Sequence, residues 1–386
     1  MKPANRIINL PPYPFARLGK RIAEMKARGV DVIRLDIGSP DMPPPPPIIN
    51  ALCRSAHDPH HHGYGGYYGI PALRRAMAAY YRRRFGVTLD PDSEIVPLIG
   101  SKEGIVNISL AYLDPGDVAL VPDPGYAPYT MGAYLAAGRV ETFPLLAERN
   151  YLPDFAAIPA DLADRAKLIW LDYPNNPTGA TAPLEFFAEA VAFAREHDLL
   201  ICHDAPYCDL TYDGYVAPSI LQVEGAREVA IEFNSLSKLY NMAGWRVGMA
   251  VGNRQAAEAL ARVKTNIDSG IFRAIQDAAI EALTGDQTWL QERNAIYQER
   301  RDIILDGLAA VGIRARKPQA SLYVWAPVPA GYTSEAFTSR LLEEQGVSIT
   351  PGTVFGAHGE GYVRISLGAD TDRIREAMER LRKLAS

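Results

Sequence analysis

The segment Val229-Ala230-Ile231-Glu232-Phe233-Asn234-Ser235-Leu236-Ser237-Lys238 decides the fold. Its first five residues have the length and content of a buried strand, and a polar cluster ends it. The same unit recurs upstream. Residues 199–203 read as a strand ending at Asp204. Residues 168–172 read as a strand ending at Tyr173-Pro174-Asn175-Asn176-Pro177-Thr178-Gly179. Residues 118–121 read as a short strand followed by Pro122-Asp123-Pro124-Gly125. Helical patterns over 72–84, 103–113 and 184–197 lie between or before these strands, and a further strand covers 247–251. Short apolar runs alternating with helices predict an α/β unit with a mostly parallel sheet covered on both faces.

Beyond about residue 255 the pattern becomes helix-rich. A long helix includes 297–307, short strands cover 321–326 and 363–366, and an amphipathic helix spans 372–383. These predict a second, smaller α+β domain. Near the start, a helix over 15–27 precedes a strand over 32–37, which Gly38-Ser39-Pro40-Asp41 ends. The prolines at 43–47 cannot sustain a helix interior or a sheet ladder, so they read as a stiff polyproline connector. The division that follows is residues 1–47 as an arm and part of the small domain, 48–285 as the large domain, and 286–386 as the small domain.

Composition narrows the function classes. The 386 residues are 48% apolar and 22% charged, as in an ordinary globular protein. A net charge of −5 gives no general attraction for nucleic acid or an anionic membrane. No apolar run approaches the roughly 20 residues that span a bilayer, and residues 1–10 hold no apolar signal core. The three cysteines, Cys53, Cys202 and Cys208, have no metal or redox spacing, and read as reduced core or near-core thiols of a cytoplasmic protein. No acid or cysteine cluster completes a metal site around His57, His60, His61 and His62, so no metal is expected. The glycines at 63, 65, 66 and 69 do not form a dinucleotide fingerprint, because Tyr68 occupies the last position.

In open α/β sheets, ligands sit outside the carboxyl ends of the strands. The unusual polar residues fall there three times: Asn175 and Asn176, then Asp204 and Tyr207, then Ser235, Ser237 and Lys238. A phosphorylated pyridine aldehyde would need such a set. It needs a lysine amine to form an imine, an acid at the ring nitrogen, donors for its phenolic oxygen and phosphate, and a platform for the ring. An amino-acid substrate adds a carboxylate, which an arginine fork binds well.

Ser235-Leu236-Ser237-Lys238, followed by Gly244-Trp245-Arg246-Val247-Gly248, resembles the lysine motif of the class I/II aminotransferases, pyridoxal-phosphate (PLP) enzymes of fold type I. The resemblance covers nearly the whole chain. It includes Asp36 to Asp41, Tyr64 through Leu73-Arg74, Asn176-Pro177-Thr178-Gly179, Asp204-Ala205-Pro206-Tyr207 and Tyr362-Val363-Arg364-Ile365-Ser366. It implies the following roles. Lys238 would be the Schiff-base lysine and proton carrier. Asp204 would pair with the pyridine nitrogen, and Asn176 and Tyr207 would bond the phenolic oxygen. Tyr126 would stack on the ring. Ser101, Lys102, Ser235, Ser237 and Arg246 would hold the phosphate, with Tyr64 reaching the phosphate of a neighbouring subunit in a homodimer. Arg364 would bind the substrate carboxylate beside Gly38 and Asn176.

Residues 97–104, 171–179 and 264–270 resemble the LL-diaminopimelate aminotransferase branch. Leu239 and Asp172 depart from it, where threonine and asparagine are usual. The implied reaction is ping-pong amino transfer through pyridoxamine phosphate, between an L-amino acid and a 2-oxo acid such as 2-oxoglutarate. An aspartate- or alanine-type aminotransferase and a C–S β-lyase would use the same cofactor residues. A non-catalytic amino-acid sensor is the alternative of another class. Glu103 is a candidate reader of a distal substrate ammonium, or simply a helix-start acid. Asn266 either crosses to a partner's phosphate region or caps a turn.

Overall fold

The computed structural model describes residues 1–8, 10–11 and 15–385. Its large sheet contains β1 (Ile95–Leu98), β2 (Val118–Asp123), β3 (Arg139–Pro144), β4 (Ala166–Asp172), β5 (Leu200–Asp204), β6 (Ala230–Ser235) and β7 (Gly248–Gly252). The order is β1-β7-β6-β5-β4-β2-β3. Strands β3, β2, β4, β5 and β6 pair in parallel, and β7 runs antiparallel to both β6 and β1.

Side chains alternate between the two faces of a strand, and here both faces are covered. Leu168 and Trp170 of β4 pack on one side with Ile105 of helix Ser101–Tyr112 and Leu260 of helix Arg254–Thr265. Ile169 and Leu171 face the other side, with Tyr80 of helix Pro71–Phe85 and Phe187 of helix Leu184–Glu196. The interior strands therefore read as continuous apolar runs. The sequence reading omitted β1 and β3. Both lie at sheet edges; β1 contains Pro97, and β3 is largely exposed and polar.

The second unit centres on β8 (Tyr323–Pro327), β9 (Thr350–Pro351) and β10 (Tyr362–Ser366), an antiparallel sheet in the order β9-β10-β8. The N-terminal segment joins it. Ile33–Arg34 pairs in parallel with Val347–Ser348, and the Ser366 amide donates to the Leu35 carbonyl at 2.7 Å. Ile33, Leu35, Tyr297, Val324, Phe337 and Ile365 share its apolar core.

Two expectations change. Pro46 and Pro47 are not part of a connector but open helix Pro46–Ala56. The first turn of a helix has no N–H bond for proline to remove, and the fixed φ suits it. Cys53 lies on that helix and is exposed, whereas Cys202 and Cys208 are buried; all three are free. From the sequence, the segment from Pro11 to the helix at 15 reads as a short loop, and its residues 12–14 lie outside the described residues. Among the described residues no helix is long and apolar enough to cross a membrane, and no group of His, Cys, Asp and Glu could hold a metal ion.

Gly248 ties the sheet to the site. A Cβ there would lie 2.8 Å from the Asn234 carbonyl oxygen and 2.9 Å from the Ser101 amide nitrogen. Both are backbone atoms, so neither can swing aside. Gly248→Ala is expected to lower the thermal unfolding midpoint, at a cost of roughly 1–3 kcal/mol. An unchanged midpoint in calorimetry would show that β7 and the Ser101 helix separate without strain.

Candidate active site

A cavity of about 330 Å³ opens at the carboxyl ends of β4, β5 and β6 and is bounded on the far side by residues 34–38 and by Tyr323 and Arg364 of the small sheet. Every residue that the family resemblance places there lines it except Tyr64. The Tyr64 side chain is 91% exposed on the surface of the chain.

Lys238 stands in a single helical turn, Leu236–Leu239, directly after β6. The Ser235 hydroxyl starts that turn by accepting from the Ser237 amide at 3.3 Å. The lysine Nζ donates to the Gly38 carbonyl oxygen, which brings the N-terminal segment over the large sheet. From the other side Arg293, on helix Trp289–Ala309, donates to the carbonyls of Lys238 and Leu239. Burial lowers the Lys238 ammonium from its usual 10.5 to about 8, helped by the positive charges of Arg364 and Arg246. The neutral amine that a nucleophile requires is therefore far more populated near physiological pH than in a free lysine.

Asp204 ends β5 at the cavity floor and is 3% exposed. Its Oδ2 accepts from the Tyr129 hydroxyl at 2.9 Å. Its Oδ1 is buried and has no hydrogen-bond partner among the described residues. Tyr129 is held by stacking on Trp170, with ring centroids 4.6 Å apart. Asp172, at the end of β4, lies beside Asp204 in register.

One end of the cavity suits an anion. Helix Ser101–Tyr112 begins there, with Ser101 and Lys102 in its first turn. Arg246 crosses this end, donating to the Ser237 hydroxyl at 3.2 Å and the Ala243 carbonyl at 2.9 Å. Gly100 is needed for this approach, because it has φ 77° and a Cβ would lie 2.1 Å from the Arg246 Nη2. Burial, with the Arg246 charge, lowers the Lys102 ammonium.

The other end suits a carboxylate. Arg364 projects from β10 and is 4% exposed. Its Nη1 donates to Asn176 Oδ1 at 2.9 Å, and its Nη2 to the Asp36 carbonyl at 2.9 Å. The guanidinium carbon lies 4.2 Å from the Tyr323 ring centroid and 4.7 Å from that of Phe355. Gly38 permits this packing, since a Cβ there would lie 2.1 Å from the Tyr323 hydroxyl. The Tyr323 and Tyr207 hydroxyls share a hydrogen bond of 2.8 Å.

A buried amine, an ionisable acid, an anion cup and an arginine fork now stand in one cavity. The sequence model "Aminotransferase class I and II" matches residues 30–381. The chain belongs to this aminotransferase family. It is a transaminase with the α/β fold type I of PLP aminotransferases. It is 56% identical over 384 residues to the LL-diaminopimelate aminotransferase of Moorella thermoacetica, covering 100% of this chain and 98% of that one. The protein of the same name from Dehalococcoides mccartyi is 52% identical over 386 residues, with both chains fully covered. Substrate-bound BacF from Bacillus subtilis superposes with a TM-score of 0.96 at 38% identity, covering 100% of this chain and 98% of that one.

Several residues of the aminotransferase site were not foreseen. Tyr129, which bonds Asp204 without lining the cavity itself, gave a faint signal, being one helical turn from Tyr126. Tyr323 and Arg34 gave none, because only the folding of distant segments brings them to the site. Glu103 does not line the cavity. It accepts from the Ile99 amide at 2.7 Å and Asn107 at 2.6 Å, and lies 3.5 Å from Lys264. Asn266 donates to the Arg262 carbonyl at 2.8 Å, capping its own helix.

The electrostatics of Lys238 can be measured on cofactor-free protein. Its reaction with an amine-selective reagent should rise with pH through a midpoint near 8. Arg364→Leu removes a cation and should move that midpoint upward, while Asp204→Asn removes an anion and should move it downward. Midpoints that stay in place in both variants would show that burial alone sets the amine.

Proposed function

We propose that this aminotransferase binds PLP in the cavity and transfers the amino group of LL-diaminopimelate to 2-oxoglutarate. The observation that carries the cofactor reading is the buried, unpartnered Asp204 Oδ1 opposite Lys238. A ring N–H would supply the missing donor, and the cup at Ser101, Lys102, Ser235, Ser237 and Arg246 has the charge and donors for a phosphate. Bound there, the cofactor supplies an electron sink for the carbanion that forms when an amino acid loses its α-proton.

The chain's residues then divide the work. Arg364 holds the α-carboxylate with its planar fork, and Asn176 and the Asp36 carbonyl fix that fork's plane. Lys238 would hold the cofactor through its neutral amine and, once released by the substrate amine, its Nζ would take the substrate α-proton and return one. Asp204, as a carboxylate, would keep the cofactor's ring nitrogen protonated, Tyr126 would cover its ring, and Asn176 and Tyr207 would offer donors to its phenolic oxygen. The substrate reading is supported by the two relatives named LL-diaminopimelate aminotransferase.

The same reading makes the enzyme a cytoplasmic homodimer. Tyr64, Tyr67, Tyr68, Ile267 and Phe272 are exposed. A second subunit would cover them and let Tyr64 reach its phosphate cup. Residues 48–285 form the large domain of this reading, and residues 1–47 with 286–386 the small one.

Two experiments test it. Wild-type protein loaded with PLP should show a visible absorption band that Lys238→Ala abolishes. That band should bleach most readily with LL-diaminopimelate in a panel with glutamate, aspartate and alanine. A band indifferent to Lys238, or a panel without preference, would refute the respective part. For the dimer, Lys238→Ala and Tyr64→Ala proteins are unfolded together and refolded as a mixture. If Tyr64 serves the partner, each hybrid dimer contains one intact site, and activity should exceed the mean of the two parents. Activity no higher than that mean would place Tyr64 outside the partner's site.

A further inference from the structure

Asp172 and Asp204 are direct neighbours on parallel strands β4 and β5. Residues in register on adjacent strands share a face, with the strands about 4.8 Å apart. Both side chains line the cavity, and the residues are only 2% and 3% exposed. Each carboxyl has one engaged oxygen: Asp172 Oδ2 accepts from the Asn176 amide at 3.0 Å, and Asp204 Oδ2 from the Tyr129 hydroxyl at 2.9 Å. Each also has a buried Oδ1 with no partner among the described residues. Two carboxylates this close and this dry cannot both ionise cheaply near neutral pH.

We propose that Asp172 and Asp204 form an acid pair that shares one proton, held on Asp172 while Asp204 stays ionised toward the cavity. This rests on the reading of Asp204 as the acid facing the ring nitrogen, and it adds a positioning role for Asp172. The surroundings set which acid keeps the proton. Asp204 has a hydroxyl donor in Tyr129 and feels the positive charge of Lys238. Asp172 has the Asn176 amide, lies within range of Tyr129, and otherwise faces the neutral hydroxyls of Tyr173 and Tyr207. The nearest guanidinium, Arg364, is engaged through Asn176 Oδ1. Burial raises the Asp172 carboxyl far above the carboxylate range, and the Asp204 charge adds to it. Burial raises Asp204 as well.

The arrangement has a consequence for the reaction. With the cofactor bound, a single negative charge at Asp204 would suffice to hold the ring-nitrogen proton. A second would over-stabilise the pyridinium and pull on the Lys238 cation as well. With its proton in place, Asp172 adds no second charge beside Asp204, and the Asp204 carboxylate, held by Tyr129, keeps its Oδ1 for the ring nitrogen.

The test uses the full chain, freed of cofactor and labelled with ¹³C at aspartate carboxyls, and follows the infrared carbonyl band of protonated acid against pH. Wild-type protein should keep one protonated aspartate above neutral pH. Asp172→Asn should remove that band. Asp204→Asn should move the midpoint of the remaining acid down by about one to two pH units, because the like charge is gone. A wild-type protein with no such band at neutral pH overturns the pair, as does a band unchanged in Asp172→Asn or a midpoint unmoved in Asp204→Asn. If Asp172→Asn does not fold, the wild-type and Asp204→Asn titrations decide alone. PLP binding by the wild-type protein, measured separately, reports on the cofactor reading, so the two can fail independently.

Discussion

A lysine that must act as a nucleophile near neutral pH has to lose its proton more easily than water allows, and much of this structure serves that one constraint. Burial provides most of the effect on Lys238, and two guanidiniums add to it. The guanidiniums cannot simply be placed in an apolar cavity, because each needs acceptors of its own. Arg246 finds them in Ser237 and the Ala243 carbonyl, and Arg364 in Asn176 and the Asp36 carbonyl. These acceptors come from the lysine loop, the β4 loop and the N-terminal segment, so the electrostatics of one amine tie together parts of the chain far apart in sequence.

Parallel pairing gives this arrangement its geometry. Strands β4, β5 and β6 all end at the same edge of the sheet, and each carries a different functional group past its last paired residue. The loops are short and start from rigid strands, which holds Asn176, Asp204 and Lys238 in fixed relation. The helix at Ser101 begins at that edge too, with its amides aimed at the cavity. Gly100 and Gly248 permit the tight approach of Arg246 and of two backbone segments there. Without them the anion cup would stand open by the width of a methyl group.

The large sheet was legible in the sequence because its inner strands are apolar on both faces and end at polar clusters. The helices between them were legible from their periodicity. What escaped notice was whatever tertiary context decides. Edge strand β3 is polar, so its pairing with β2 leaves no apolar run to read. Pro46 and Pro47 look like helix breakers until their place in a first turn is known. Within the site, strand-end residues and motif residues could be named in advance. Tyr323, Arg34 and the pairing of Asp172 with Asp204 in register could not, since they depend on register or on the docking of the small sheet. Glu103 shows the converse: its position suggested substrate, but Ile99, Asn107 and Lys264 engage it.

The carboxylate end of the cavity shows why the small sheet must meet the large one closely. Arg364 belongs to β10, yet its two terminal nitrogens are fixed by Asn176 of the large sheet and Asp36 of the N-terminal segment. Tyr323, from the neighbouring β8, packs against the guanidinium and bonds Tyr207, which follows β5. Any sliding of one unit over the other therefore alters the fork's plane, the Tyr207 hydroxyl and the Gly38–Lys238 contact together. Substrate binding at Arg364 is thus coupled to the position of the lysine through shared atoms, with no need for a longer pathway between them.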